Sequence, residues 1–300
     1  METFRGNLLL LLASVIWGTA FVAQATGMEY VGPLTFTFVR FLLGAITILP
    51  FIILFEKKLF LKTIKKPKVF LLIFFTSLAL GLGATTQQYA LLHTDVSNAA
   101  FITALYVPLV PIILTLILRN KLHNSIWLAV FICLVGLYLL TSESNSVAMR
   151  YSDTLLIFSS IAFACQIILT DIYLKNNNLH FTFAFSQYFI IFISTFIIAL
   201  LYESPTLKNI SLEFFEIFYA GFFSVGIAYT LQIIGQKNTK PAPAAIILAM
   251  EAVFAAIAGW IIIDQSMSFV KIIGCILIFS GIIIAQVFPL LIKNKERINE

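Results

Sequence analysis

A single carboxylate interrupts an apolar stretch late in the chain. Residues 244–263 read AAIILAMEAVFAAIAGWIII, and Glu251 is the charged residue among them. A stretch of this length crosses the roughly 30 Å hydrocarbon core of a bilayer, where an ionised acid is unfavourable by about 2.5–3.5 kcal/mol. Acids at this depth usually face the protein interior or water. Glu251 is therefore the first candidate for binding a substrate amine or carrying a coupled proton.

Arg40 is the one basic residue deep within an apolar segment, at a depth similar to that of Glu251. A salt bridge between Arg40 and Glu251 is one interpretation, and a structural hydrogen bond between helices is another for Glu251. Arg40 could extend to the membrane surface, tie helices together or contact a substrate carboxylate. The sequence leaves these roles open.

Other polar and aromatic residues lie within the apolar segments. Trp17 is near the centre of its segment rather than at an end, so it either packs in the core or forms a wall for an apolar substrate. The glutamines either bond between helices or line a cavity. The residues predicted to line a substrate pathway are Glu251, Trp17, Tyr106, Gln88, Gln87, Gln232, Gln166 and Arg40. Pro108 and Pro111 predict a kink, and a candidate hinge, in the fourth segment.

No pattern in the sequence indicates catalysis. The sequence contains no GxSxG, HExxH or GxxxxGK[ST], and its three histidines and three cysteines have no metal-ligand spacing. We therefore expect no catalytic residue, no metal and no cofactor. An intramembrane enzyme is the weakest of the functions considered.

Composition indicates an integral membrane protein. The 300 residues are 60% hydrophobic and only 11% charged, and the mean hydropathy is +1.00, which lies outside the range of soluble proteins. Windows of membrane-spanning length predict ten helices, at 7–26, 33–55, 70–92, 96–118, 125–141, 153–174, 181–202, 213–235, 242–263 and 269–292. The predicted fold is all-α.

The basic residues predict the orientation. With a cytoplasmic N-terminus, most of the 19 lysines and arginines lie on the cytoplasmic side, and only Arg150, Lys208 and Lys271 lie outside. This distribution follows the positive-inside rule and places both termini in the cytoplasm. It also explains the net charge of +5 without nucleic acid as a partner.

The chain repeats itself at an offset of 145 residues. GLGATTQ at 81–87 aligns with GIAYTLQ at 226–232, and NAAFITA at 98–104 aligns with PAAIILA at 243–249. The same register pairs Tyr106 with Glu251. Because each predicted repeat has five helices, the second must enter the membrane from the opposite side, as in the inverted repeats of secondary transporters. The predicted parts are residues 1–141, residues 153–292 and a basic cytoplasmic tail at 293–300.

Several segments resemble the EamA-like family of drug/metabolite transporters. They are SVIWGTAFV at 14–22, GPLTFTFVRFLLGA at 32–45, SNAAFITALYVPLVPIILTLIL at 97–118, PAAIILAMEAVFAAIAGWII at 243–262, LVGLYLL at 134–140 and FSGIIIA at 279–285. The resemblance implies ten helices in two inverted repeats, a central cavity walled by helices 1, 3, 4, 6, 8 and 9, and a bacterial cytoplasmic (inner) membrane. It also implies export of small metabolites, often amino acids.

Together these observations favour a secondary transporter that works by alternating access, with a small-molecule substrate and the lipid bilayer as its partners. The closest rival is an exporter of drugs or cationic compounds, which an anionic cavity with Arg40 turned away would favour. A lipid scramblase is less favoured. The sequence leaves the oligomeric state open.

Overall fold

The structure, a computed structural model, describes residues 2–57, 66–141, 151–264 and 266–298. These residues form helices and connecting turns, with no strand among them. Ten helices account for most of them: α1 (Glu2–Thr26), α2 (Pro33–Glu56), α3 (Pro67–Ala90), α4 (Val96–Leu116), α5 (Asn124–Thr141), α6 (Tyr151–Asn176), α7 (His180–Tyr202), α8 (Phe214–Gln236), α9 (Pro241–Ile262) and α10 (Phe269–Ile298). A short helix, Leu207–Leu212, precedes α8.

Each predicted segment coincides with one of these helices to within a few residues. Within the described ranges, nine helices are long and apolar enough to cross a membrane, whereas the apolar part of α5, Asn124–Leu139, is shorter. The count of ten spans and the cytoplasmic termini therefore stay predictions. The helix α10 extends into the predicted basic tail as far as Ile298, and residues 299–300 lie outside the described ranges, as do residues 58–65 of the basic loop after α2.

Local sequence explains several helix ends. Proline occupies the first turn of α2, α3 and α9. A backbone N–H at this position has no acceptor within the helix, so its absence in proline costs no hydrogen bond. After α4 and α9 the chain adopts a left-handed conformation at Arg119 (φ 53°) and Asp264 (φ 54°). These two residues are 145 positions apart, so the repeat register seen in the sequence is also present in the backbone.

The helices α2 and α7 cap each other: a carboxylate at the end of each helix accepts hydrogen bonds from the start of the other. Glu203, which follows α7, accepts from the backbone N–H groups of Leu34 (2.9 Å) and Thr35 (2.7 Å) at the start of α2. Glu56, at the end of α2, accepts from the N–H groups of residues 181 (3.2 Å) and 182 (2.7 Å) at the start of α7. Each acid thus accepts from backbone N–H groups that the first turn of the other helix leaves unpaired. It also faces the positive end of that helix's dipole. The contacts require α2 and α7 to run antiparallel.

Close packing of glycines joins α5 to α10. A Cβ added at Gly281 would lie 2.5 Å from the sulfur of Cys133, and one added at Gly136 would lie 2.7 Å from the carbonyl oxygen of Gly274. The Cys133 thiol donates to the carbonyl of Ile278, 145 residues away, across 3.8 Å. Glycines let helices approach closely where dispersion forces rather than the hydrophobic effect hold them together. These two helices are also antiparallel.

The helices α4 and α9 are each interrupted at equivalent places. In α4 the interruption is at Ala104–Leu105, where Val107 donates to the carbonyl of Ala104 at 3.0 Å. The residue that would donate to this carbonyl in a regular helix is Pro108, which has no N–H. In α9 the interruption is at Ala249, without a nearby proline. A break in α4 was predicted from Pro108 and Pro111; its use as a hinge stays a prediction.

The capping acids generate a prediction about stability. Replacing Glu203 with Gln puts an amide NH2 against a backbone N–H, so we expect Glu203→Gln to lower the free energy of unfolding by about 1–3 kcal/mol. Glu56→Gln should have a similar effect, and the two should add because they act at opposite helix ends. Thermal unfolding of the detergent-solubilised protein measures both. Exposed Glu29 provides the control, Glu29→Gln. Equal midpoints for all three variants would contradict the capping role.

The glycine contact generates a second prediction. We expect Gly281→Ala to destabilise the protein by about 1–3 kcal/mol, because the new methyl group overlaps the Cys133 sulfur. Adding Cys133→Ala should restore part of this loss, since it removes the overlapping atom. Thermal midpoints of the two single variants and the double variant test the contact. No recovery in the double variant would show that the sulfur is not the obstacle.

Candidate functional site: a cavity between the two halves of the chain

A cavity lies in the middle of the helical bundle and contains about 460 Å³ of space not occupied by atoms, part of it open to solvent. Residues from α1, α2, α3, α4, α6, α8 and α9 line it: Trp17, Phe21, Gln24, Arg40, Gln87, Thr103, Tyr106, Phe163, Gln166, Ile167, Ser224, Tyr229, Gln232, Leu248 and Glu251. The helix α9 lies at the centre of the fold: 72% of its apolar window is buried, which is the largest share among the described spans.

Equivalent positions of the two repeats face one another across this cavity. Thr103 and Leu248, Gln87 and Gln232, and Tyr106 and Glu251 are pairs at the offset of 145, and all six residues line the cavity. In α1 and α6, Trp17 and Phe163 also line the cavity and are 146 positions apart, as are Phe21 and Ile167. The cavity therefore lies on the axis that relates the repeats.

Tyr106 and Glu251 meet directly at this axis. The Tyr106 hydroxyl donates to Oε1 of Glu251 at 2.8 Å, and the two side chains are 3% and 5% exposed. Both follow the interruptions in α4 and α9 by one or two residues, and Glu251 lies in the first turn of the second part of α9. A carboxylate is stabilised at the start of a helix. Within the described part of the chain, no donor reaches Oε2 of Glu251.

Arg40 lines the same cavity without touching Glu251. Its Nη1 donates to Oε1 of Gln24 and its Nη2 donates to the carbonyl of Ala84 at 3.2 Å. Its Nε has no hydrogen-bond partner in the described part of the chain. The guanidinium carbon lies 5.8 Å and 5.5 Å from the ring centres of Phe36 and Phe41. Across the described ranges, the one ion pair joins Lys175 to Asp171. The salt bridge considered from the sequence is therefore wrong for this structure.

The glutamines in the cavity wall are bonded to polar neighbours. Gln166 and Gln232 exchange hydrogen bonds of 3.4 Å and 3.1 Å between Nε2 and Oε1, and Gln166 also donates to Thr170 at 3.2 Å. Gln87 donates to the hydroxyl of Thr103 at 3.1 Å. These bonds leave a neutral polar wall, so Arg40 and Glu251 carry the formal charges of the lining.

Gln88 lies outside the cavity lining, unlike the other seven residues predicted for the pathway. It is fully buried and donates to the backbone carbonyl of Gln24 at 2.9 Å and to the sulfur of Met28 at 3.0 Å. Gln88 therefore supports the residue that bonds Arg40. Pro108 and Pro111 are also absent from the lining.

Trp17 forms part of an aromatic wall. Its indole N–H donates to the carbonyl of Ser224 at 3.2 Å, and its ring centre is 4.6 Å from that of Tyr229. Tyr229 lines the same cavity as Arg40 and Glu251. Phe21 and Phe163 complete the aromatic part of the lining. Such a wall can hold an apolar part of a ligand while the charged residues hold its ends.

Sequence reasoning missed Gln24, Phe21, Thr103, Phe163, Ile167, Ser224, Tyr229 and Leu248. The repeat register could have found some of them. Thr103 and Leu248 align in the matched segments, whereas the register of 145 residues pairs Trp17 with Ala162 rather than with Phe163. No group of three or more His, Cys, Asp or Glu side chains that could hold a metal lies within the described ranges.

Comparisons with known proteins agree with this architecture. The sequence matches the EamA-like transporter family twice, over residues 4–142 and 150–286. It is 28% identical over 286 residues to an uncharacterized transporter of Archaeoglobus fulgidus, covering 95% of this chain and 87% of that protein. It is 26% identical over 308 residues to the uncharacterized transporter YwfM of Bacillus subtilis, covering 97% and 98% of the two chains.

A solved structure described only as the crystal structure of a protein has the same fold. It superposes with a TM-score of 0.77 at 15% identity, covering 94% of this chain and 96% of that one. The match at this identity concerns the fold alone. Since the family match extends over nearly the whole sequence in two consecutive copies, the chain consists of two repeats and belongs to the EamA-like transporter family of multi-pass membrane proteins.

Proposed function

We propose that this membrane transporter is a secondary transporter, gradient-driven or facilitative, that exports small metabolites such as amino acids by alternating access. The observation that carries the proposal is the central cavity, which is built from equivalent positions of both repeats and contains one acid and one base. We further propose ten membrane-spanning helices, cytoplasmic termini and a bacterial cytoplasmic membrane. Transport of this kind requires no catalytic residue.

Antiparallel contacts between the repeats support alternating access. The carboxylate caps between α2 and α7 are close to symmetric. The glycine contact between α5 and α10 is close to symmetric as well. Inverted repeats can adopt each other's conformation, and this exchange opens the central site first to one side and then to the other. The interruptions in α4 and α9 lie beside the cavity, at Ala104 and Ala249. They provide equivalent places for the two repeats to bend.

Glu251 is the residue proposed to bind the substrate amine or to carry a coupled proton. It is buried, lines the cavity and has no cation beside it within the described ranges. The hydrogen bond from Tyr106 fixes the position of one carboxylate oxygen and leaves the other for a ligand or a proton. An ionisable residue inside a membrane protein is by default a functional-site hypothesis.

The cationic-compound exporter is less well supported. A drug exporter of that class would use an anionic cavity, but Arg40 lies in the lining together with Glu251. The combination of one cation and one anion favours a substrate that carries both charges. A scramblase would need a polar groove open to lipid, whereas the charged residues here are buried between the repeats.

Efflux from proteoliposomes tests this function. Purified protein is reconstituted with labelled amino acids inside, and release is measured with and without an imposed pH gradient. We expect release above that of protein-free vesicles for at least one amino acid with an apolar side chain, because aromatic residues form part of the wall. Absence of release for every amino acid would contradict the proposed substrate class.

Two variants separate the charge of Glu251 from its hydrogen bond. Glu251→Gln removes the charge but keeps an oxygen that can accept from Tyr106, whereas Tyr106→Phe removes the bond and keeps the carboxylate. We expect Glu251→Gln to reduce flux about tenfold or more, since hydrogen bonds to charged groups contribute about 1.5–3 kcal/mol. We expect Tyr106→Phe to retain the response to a pH gradient. Wild-type flux and pH response in Glu251→Gln would assign Glu251 a structural role only.

A further inference from the structure

Arg40 is a buried cation with no anion beside it among the residues that the structure describes. Its side chain is 3% exposed, and no carboxylate of the described residues lies within 4.0 Å of it. Buried charges in proteins are usually paired, because removal of an ion from water is unfavourable by several kcal/mol. The protein partners of Arg40 are a glutamine oxygen and a backbone carbonyl, both neutral. The guanidinium therefore retains binding capacity for an anion.

The position of Arg40 is fixed by a second layer of hydrogen bonds. Gln24 donates from Nε2 to the carbonyl of Ala20 at 3.2 Å, which orients its Oε1 toward Arg40. Gln88 donates to the backbone carbonyl of Gln24 at 2.9 Å and so supports the same turn of α1. The Nε–H of Arg40 remains unpaired although it is buried. A guanidinium held in this way is prepared for a ligand, since little freedom remains to be lost on binding.

The fold itself does not require a cation at this position. The offset of 147 between α2 and α7, given by the capping contacts, makes Gln187 the counterpart of Arg40 in the second repeat. Gln187 is fully buried, donates to the carbonyl of Phe183 at 3.3 Å and does not line the cavity. A neutral amide thus serves the packing of the equivalent helix, and the charge of Arg40 needs another explanation.

We propose that the guanidinium of Arg40 binds the carboxylate of the transported substrate, while Glu251 faces its amine. This inference rests on the transport function proposed above, and it assigns the substrate class as small zwitterions. Arginine suits this task because its planar donors match the two oxygens of a carboxylate. The aromatic wall that Trp17 and Tyr229 form in the same lining provides a surface against which an apolar group of the substrate can pack.

Ligand binding to the purified wild-type protein tests the assignment first. The thermal midpoint of the protein is measured in the presence of each of the standard amino acids. The amino acid that gives the largest increase is then compared with its carboxamide and with its analogue lacking the amine. We expect the amino acid to bind about tenfold or more tightly than either analogue, since each analogue leaves one charged residue unpaired. Equal binding of the amino acid and its carboxamide would overturn the proposal, and so would no response to any amino acid.

Variants of Arg40 then distinguish recognition from structural support. We expect Arg40→Gln, which copies the residue of the second repeat, to weaken amino-acid binding about tenfold or more and to abolish the preference over the carboxamide. Arg40→Lys should give an intermediate preference, because lysine keeps the charge without the planar fork. Arg5→Gln, at an exposed position on α1, is the control for loss of a positive charge.

The outcomes separate this inference from the transport function. If Arg40→Gln lowers the thermal midpoint but keeps the preference for the amino acid over its carboxamide, Arg40 is a structural tie and the inference fails. If the wild-type protein releases uncharged or cationic solutes from proteoliposomes and does not prefer carboxylates, transport stands and the inference fails. If Arg40→Gln does not fold, the comparison of ligands on the wild-type protein still decides.

Discussion

Polar groups within a bilayer must find partners inside the protein, and this constraint determines where the charged and amide side chains of this chain lie. Glu203 and Glu56 are placed against backbone N–H groups that helices leave unpaired. Gln166 and Gln232 satisfy each other across the bundle. Arg40 and Glu251 have neutral hydrogen-bond partners, but neither has an oppositely charged partner among the described residues. Their shared position in one cavity is the basis of the substrate site proposed above.

The near-symmetry of the two repeats explains why the cavity is central. Antiparallel pairing of α2 with α7 and of α5 with α10 brings equivalent surfaces together, and the positions on the axis then meet their own counterparts. Tyr106 and Glu251 are such a pair. The pairing of a hydroxyl donor with a carboxylate acceptor depends on the sequences having diverged, since two tyrosines would provide no carboxylate and two ionised glutamates would repel each other.

The sequence was sufficient for the helices, for the repeat and for seven of the fifteen residues that line the cavity. Apolar runs separated by basic or proline-containing turns predict each helix, and the register of 145 residues predicts that Tyr106 and Glu251 correspond. The reciprocal carboxylate caps were not predictable from that register, because equivalent positions of α2 and α7 are 147 residues apart. Gln24 was missed for a different reason: its importance comes from contact with Arg40, which depends on how α1 and α2 pack.

Charge in this cavity does not follow the symmetry of the backbone. Arg40 belongs to the first repeat and Glu251 to the second, and their counterparts, Gln187 and Tyr106, carry no formal charge. A ligand that contacted only one repeat would have the same affinity for every arrangement of the two repeats. A ligand with equal affinity for two conformations does not shift the equilibrium between them. A zwitterion that bridges Arg40 and Glu251 binds best when their separation matches its own length. Its binding energy would then depend on the arrangement of the repeats, and in the proposed transport cycle this dependence would let the substrate influence which side of the membrane the cavity faces.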